Sequence, residues 1–124
     1  MYQRVAEHAL ALAKEFGTVA VVAADGRVDA LRRAIEDRGV VLAEPGEVSP
    51  DRPVVVLPAG LAKGLEFDAV IVVEPGEIAA RGGAGGDVSP RGLRTLYVAL
   101  TRPTRRLRVL HEDALPASVS TAAR

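Results

Sequence analysis

Apolar and polar positions along the chain switch between two periods, and the switches mark the elements. Val5, Ala9, Leu12 and Phe16 recur at helical spacing, which predicts a helix over residues 2–16 stopped by Gly17. Thr18 to Ala23 is a short Val-rich run, the pattern of a strand buried on both faces. Asp25 stands where a helix cap belongs, with Val28, Leu31 and Ile35 following on one helical face and Gly39 at the end. Val40 to Ala43 resumes as strand. Strand, helix and strand in that order predict a βαβ unit with parallel strands and a right-handed crossover, hence an α/β fold.

A turn-rich stretch, Glu44 to Pro53, leads to two further Val-rich runs, Val54–Leu57 and Ala69–Val73, each of a length suited to a buried strand. Arg81 to Asp87 holds four glycines in seven residues and reads as a surface loop. Ser89 before Pro90 is a helix start, and Leu93, Leu96, Tyr97 and Leu100 form the apolar stripe of that helix until Pro103 halts it. Tyr97 is expected to pack on this stripe. Leu107 and Val109 alternate with Arg106 and Arg108, a strand with one face inward and the other toward solvent or a partner. Residues 112–124 read as a frayed tail.

Composition narrows the class. A chain of 124 residues allows one compact domain, and 48% apolar with 26% charged residues suits a globular core. No apolar run approaches the ~20 residues of a membrane span, the N-terminus lacks a signal pattern, and there is no cysteine, so a cytoplasmic home is expected. The net charge is zero, but Val88 to His111 carries six arginines and no acid. Only Lys14 and Lys63 are lysines, so arginine richness reflects genome composition as readily as function.

Several chemistries find no support. A phosphate-cradling Gly-x-x-x-x-Gly-Lys-Ser/Thr loop is missing from the sequence, so self-sufficient ATP hydrolysis is not expected. His8 and His111 have no carboxylates at metal-ligand spacing, and no serine sits in a nucleophile elbow. Two segments remain. Lys63-Gly64-Leu65-Glu66-Phe67-Asp68 lies between predicted strands, and Tyr97-Val98-Ala99-Leu100-Thr101-Arg102 closes a predicted helix. Both belong to element ends, where open α/β sheets place their ligands.

The first segment resembles motif V, and the second motif VI, of UvrD/Rep-type superfamily 1 helicases. With motif V at about 57–68 and motif VI at about 93–104, the resemblance implies that residues 1–111 are the C-terminal part of a second RecA-like lobe. It further implies a C-terminal piece of a longer protein whose first lobe binds most of the ATP and its Mg2+. Arg102 would be the arginine finger on the γ-phosphate, worth about 10³–10⁵ in rate. Glu66 would accept hydrogen bonds from the ribose, and Gly64 would let the backbone approach the nucleotide. Lys63 would either donate to a phosphate or hold its loop through a carboxylate such as Asp68. The wording of both motifs is most similar to actinobacterial HelD proteins, helicase IV-like ATPases that bind RNA polymerase.

Other readings stay open beside these. Arg102 as a helix-terminal cation would complement the helix dipole for a few tenths to about 1 kcal/mol. Pro58 and Gly60 stand where UvrD and Rep have a Thr-x-His pair that couples to the nucleic-acid strand. The chain as a whole is expected either to complete an ATP site in a DNA helicase or translocase, or to act as a non-catalytic nucleic-acid or protein docking module. Arg91, Arg94, Arg105, Arg106 and Arg108 would carry the second role through salt-sensitive binding.

Overall fold

In the computed structural model, which describes residues 2–80 and 88–112, the Val-rich runs assemble into one parallel sheet. Its strands are β1 (Val19–Ala23), β2 (Val54–Pro58), β3 (Phe67–Val73) and β4 (Pro103–Leu110), in the spatial order β2-β1-β3-β4. Alternate side chains along a strand face opposite ways, so each run feeds two cores. Val19, Val21, Val54, Val56, Ala69 and Ile71 face one layer, and Ala20, Val22, Val55, Leu57, Val70 and Val72 the other.

Helices α1 (Tyr2–Phe16) and α2 (Val28–Glu36) cover the first face with Val5, Ala9, Leu12, Leu31 and Ile35. Each fully buried Leu or Ile here contributes roughly 1.5–3 kcal/mol. Helices α3 (Pro75–Ala79) and α4 (Pro90–Leu100) cover the second with Ile78, Leu96 and Ala99. The result is a three-layer α/β domain consistent with a RecA-like lobe. None of its described helices is long and apolar enough to cross a membrane.

The first βαβ unit closes differently from its expected form. Residues Val40–Ala43 do not form a strand; the Ala43 N–H donates to the Val54 carbonyl at 2.9 Å, and the place beside β1 is taken by Val54–Pro58. The competition is settled by burial: Val54 to Leu57 are all buried, whereas Val41 is 61% exposed. Asp25 opens a single 3-10 turn, Asp25–Arg27, and α2 begins at Val28 without a side-chain cap. At α4 the expectation holds: the Ser89 hydroxyl oxygen accepts from the Gly92 N–H at 2.9 Å.

The buried stripe of α4, however, is Gly92, Leu96 and Ala99, and Tyr97 is 69% exposed rather than packed. The cause is a close approach. A Cβ at Gly92 would lie 2.0 Å from the Ala79 carbonyl oxygen, so α4 presses its smallest residue onto α3 and turns Leu93 and Tyr97 outward. The expected glycine-rich loop at 81–87 and most of the expected tail, residues 113–124, lie outside the described residues.

From Pro58 the chain returns over β1 to start β3, and eight residues suffice, Ala59–Glu66. Ala59 and Ala62 bury themselves in the second core and hold this return against the sheet. It is this short return that carries Lys63, Gly64 and Glu66.

Candidate functional site

The return ends in a four-residue turn, Ala62 to Leu65, closed by the Leu65 N–H donating to the Ala62 carbonyl at 3.1 Å. Gly64 takes φ +81° at its third position, and Lys63 has no positive φ, which together make a type II turn. A Cβ at Gly64 would meet nothing within 4 Å, so it is the backbone angle that calls for glycine here. Lys63, Gly64 and Glu66 are all exposed.

Arg102 sits between α4 and β4. Phe67 and Pro103 are paired at the start of β3 and β4, and the Phe67 N–H donates to the Arg102 carbonyl at 3.3 Å. The Thr104 hydroxyl donates to the Phe67 carbonyl at 3.3 Å. These bonds stitch the two motif segments together, and they place Glu66 and Arg102 immediately before a matched pair on adjacent strands. Phe67 itself is buried and anchors the arrangement.

The Arg102 side chain is folded back on its own helix. Its Nε donates to the Val98 carbonyl at 3.1 Å and its Nη2 to the Thr101 hydroxyl at 3.3 Å. No carboxylate lies within 4.0 Å of it among the described residues. The geometry thus contains the helix-terminal role directly: the guanidinium satisfies a last-turn carbonyl, as a cation at the negative end of a helix does. Nη1 keeps its donors free of any partner among the described residues.

Asp68 does not hold Lys63. Its carboxylate accepts from the Thr18 N–H at 3.0 Å and the Thr18 hydroxyl at 3.1 Å, while its own N–H donates to that hydroxyl oxygen at 3.0 Å. The Thr18 backbone N–H, aided by the Thr18 hydroxyl and the Arg105 charge and opposed by burial, holds Asp68 below the usual carboxylate value. Asp68 therefore ties the start of β3 to the start of β1, and Lys63 is left pointing to solvent.

Glu66 and Arg102 lie at the amino ends of the strands, whereas open α/β sheets take ligands at the carboxyl ends, at the switch point of strand order. Here the switch point falls between β1 and β3, and beside it stands a charge cluster that the sequence reading missed, next to a small cavity of about 170 Å3 lined by Ala24, Asp25, Ala59, Glu77 and Ile78. Arg27 forms a two-pronged pair with Glu77 at 2.5 and 2.6 Å and donates to the Tyr2 hydroxyl at 3.1 Å. Glu74, buried at 3% exposure, lies 4.0 Å from Arg27 and accepts from the Glu112 N–H at 3.2 Å. The available signal was Glu74-Pro75-Gly76-Glu77 directly after an apolar strand.

What the amino-edge residues fit is an anion flanked by hydroxyls: Lys63 and Arg102 are donors, Glu66 an acceptor, and the Gly64 backbone is open. No group of three or more His, Asp or Glu side chains suited to a metal ion occurs among the described residues.

Comparison with known proteins bears on the fold. The chain is similar to a solved structure, the C-terminal domain of a possible DNA helicase from Lactobacillus plantarum WCFS1, at 27% identity and a TM-score of 0.64. The match covers 94% of this chain and 69% of that one. No family model matches, and no curated protein matches. The likeness supports a helicase C-terminal domain, a helicase-like motor lobe, as the class to which this chain compares.

Proposed function

We propose that this chain is the second motor lobe of a superfamily 1 helicase-type ATPase, and that it completes an ATP site held mainly by another lobe of a longer protein. The observation that carries the reading is the pairing of Phe67 with Pro103, which sets Glu66 and Arg102 side by side at an open edge. A lobe built this way has cations and an acceptor but no phosphate cradle, so it needs a partner surface to act.

In this reading Arg102 leaves the Val98 carbonyl and turns to the γ-phosphate when the lobes close. The helix-end contact given up is worth a few tenths to about 1 kcal/mol, small beside the about 10³–10⁵ in rate that a finger arginine contributes. Glu66 takes the ribose hydroxyls and Gly64 the close backbone approach, while Lys63 donates to a phosphate. ATP supplies the phosphoryl group; these residues position it and offset the charge that develops on it. Lobe closure is then coupled to hydrolysis.

The likeness to the C-terminal domain of a possible DNA helicase supports nucleic acid, DNA in the first instance, as a partner. The motif wording supports a HelD-type protein, with RNA polymerase as its protein partner. The competing reading, a docking module without a catalytic part, is favoured by the self-satisfied conformation of Arg102.

The test is ATP turnover by this chain, by the longer protein, and by the longer protein carrying Arg102→Ala or Arg102→Lys, with and without DNA. A silent isolated chain and a folded but inactive Arg102→Ala protein are expected. Normal turnover by that variant overturns the assignment in favour of docking.

A further inference from the structure

The sheet ends on β4, which pairs with β3 and with no other strand among the described residues. Among those residues one side of its backbone is therefore unpaired, and an unpaired edge is a template for another strand. The two faces flanking this edge differ sharply. Arg106 and Arg108 are level with Ala69 and Ile71 and lie on the α1 side, while Leu107 and Val109 are level with Val70 and Val72 and lie on the α4 side.

On the α1 side the arginines make no close ion pair among the described residues, although Arg105 is near enough to Asp68 to help hold that carboxyl low. The guanidinium carbons of Arg105 and Arg106 each stand 5.2 Å from the centroid of the Phe16 ring, and Arg108 Nη1 lies 2.9 Å from His8 Nδ1. No carboxylate comes within 4.0 Å of any of the three arginines among the described residues. Burial, together with Arg108 and Arg4, lowers His8 from its ordinary value, with Glu7 opposing. On the α4 side lies an apolar groove of about 900 Å3, lined by Leu93, Leu96, Tyr97, Leu100 and Leu107.

We propose that the free edge of β4 receives an extended acidic segment of a partner protein as a fifth strand. Acidic residues of that segment face Arg106 and Arg108, and the apolar residues between them enter the groove beside Leu107. The pleat supplies the reason: side chains of an added strand alternate between the two faces, so opposite chemistry on the faces selects an alternating sequence. Backbone hydrogen bonds hold the segment, and the side chains choose it.

Other occupants fit less well. A second copy pairing edge to edge would bring arginines against arginines, which is unfavourable for cross-strand neighbours. A nucleic-acid strand would find phosphate partners, but on this side the Phe16 ring, the aromatic nearest the arginines, is already engaged by two guanidinium groups at 5.2 Å. The apolar groove would then go unused. The proposal involves neither Glu66 nor Arg102, although the groove is also lined by Val98 and Thr101, which hold the Arg102 side chain.

The test is fluorescence anisotropy of this chain with a labelled ten-residue peptide in which Glu alternates with Val or Leu. Comparison probes are a peptide of the same composition with acids and apolar residues in two blocks, one with Lys in place of Glu, and a dT oligonucleotide. The alternating peptide is expected to bind about tenfold tighter than the block peptide, from two cross-strand charge pairs and the groove. It is also expected to slow hydrogen exchange at the amides of Arg106 to Leu110. The variant R106E/R108E should lose that binding and gain the Lys peptide, an exchange of preference that misfolding cannot produce. Equal binding of alternating and block peptides, no peptide binding, self-association through β4, or oligonucleotide binding that R106E/R108E removes while the peptides do not compete would each overturn it.

Discussion

At the carboxyl ends of β1 and β3, Arg27 is gripped by Glu77, reaches Tyr2 and approaches the buried Glu74, so that α1, α3 and the end of β3 are joined through one guanidinium. At the amino ends of β3 and β4, Arg102 rests on a carbonyl and a hydroxyl of its own chain segment, with Lys63 and Glu66 exposed nearby. The two arginines share a side chain and differ in every partner. An arginine whose charge is matched inside the fold is committed to structure, and one that borrows only a helix-end carbonyl can be released at small cost. The first stands beside the usual ligand crevice of the sheet, and the second at the opposite ends of the strands.

That contrast is open to direct attack. The largest expected effect is on function: Arg102→Ala in the longer protein should lower ATP turnover by about 10³-fold or more, with thermal stability changed by less than about 1 kcal/mol. Parallel turnover and melting measurements check it, and a large loss of stability would put Arg102 in the same category as Arg27. Next comes Gly92→Ala, where the new methyl would collide with the Ala79 carbonyl and force α3 and α4 apart. A loss of roughly 1–3 kcal/mol is expected in urea unfolding.

Arg27→Ala should cost roughly 1–2 kcal/mol, because partly solvated Glu77 would lose its two-pronged partner and buried Glu74 a cation 4.0 Å away. Unchanged kinetics in the longer protein should accompany that loss. The smallest effect is in acid. Asp68 is held low in the folded state, so its contribution is complete above the unfolded value of about 3.9 and is lost as pH falls through the folded one. Asp68→Asn should lower stability at neutral pH and flatten that acid limb, as chemical denaturation at a series of pH values would record.

Much of this was legible in the chain, and where it was not the cause is physical. Periodicity located α1, β1, β3, α4 and β4 because in each the burial pattern is set by the element's own residues. It misplaced a strand at Val40–Ala43 because two apolar runs competed for one edge of β1, and only burial of the whole Val54–Leu57 run decides between them. On α4 it placed Leu96 and Leu100 correctly but Leu93 and Tyr97 wrongly, because hydrophobic size is a poor guide where close approach selects glycine and alanine. The motif segments were readable as words, and their adjacency follows from the β3–β4 register, which no single segment encodes. The Arg27 cluster was invisible because Arg27 and Glu77 are 50 positions apart.

The strand order carries a consequence for how the domain forms. Val19 pairs with Val54 and lies level with Ala69, and Ala69 is level with Arg106, so every neighbour in the sheet comes from a distant part of the chain. The one local pairing among the described residues is the tight antiparallel bridge between Ser49 and Arg52, which lies outside the sheet; no two strands of the sheet are joined by a hairpin. Loop closure must come before any strand pairing is rewarded, which places refolding toward the slow, millisecond-to-second end expected of non-local topologies. Stopped-flow refolding of this chain would read that rate directly. Helices α1 and α2 can flicker into existence first, but β1 has nothing to pair with until the chain beyond residue 53 arrives.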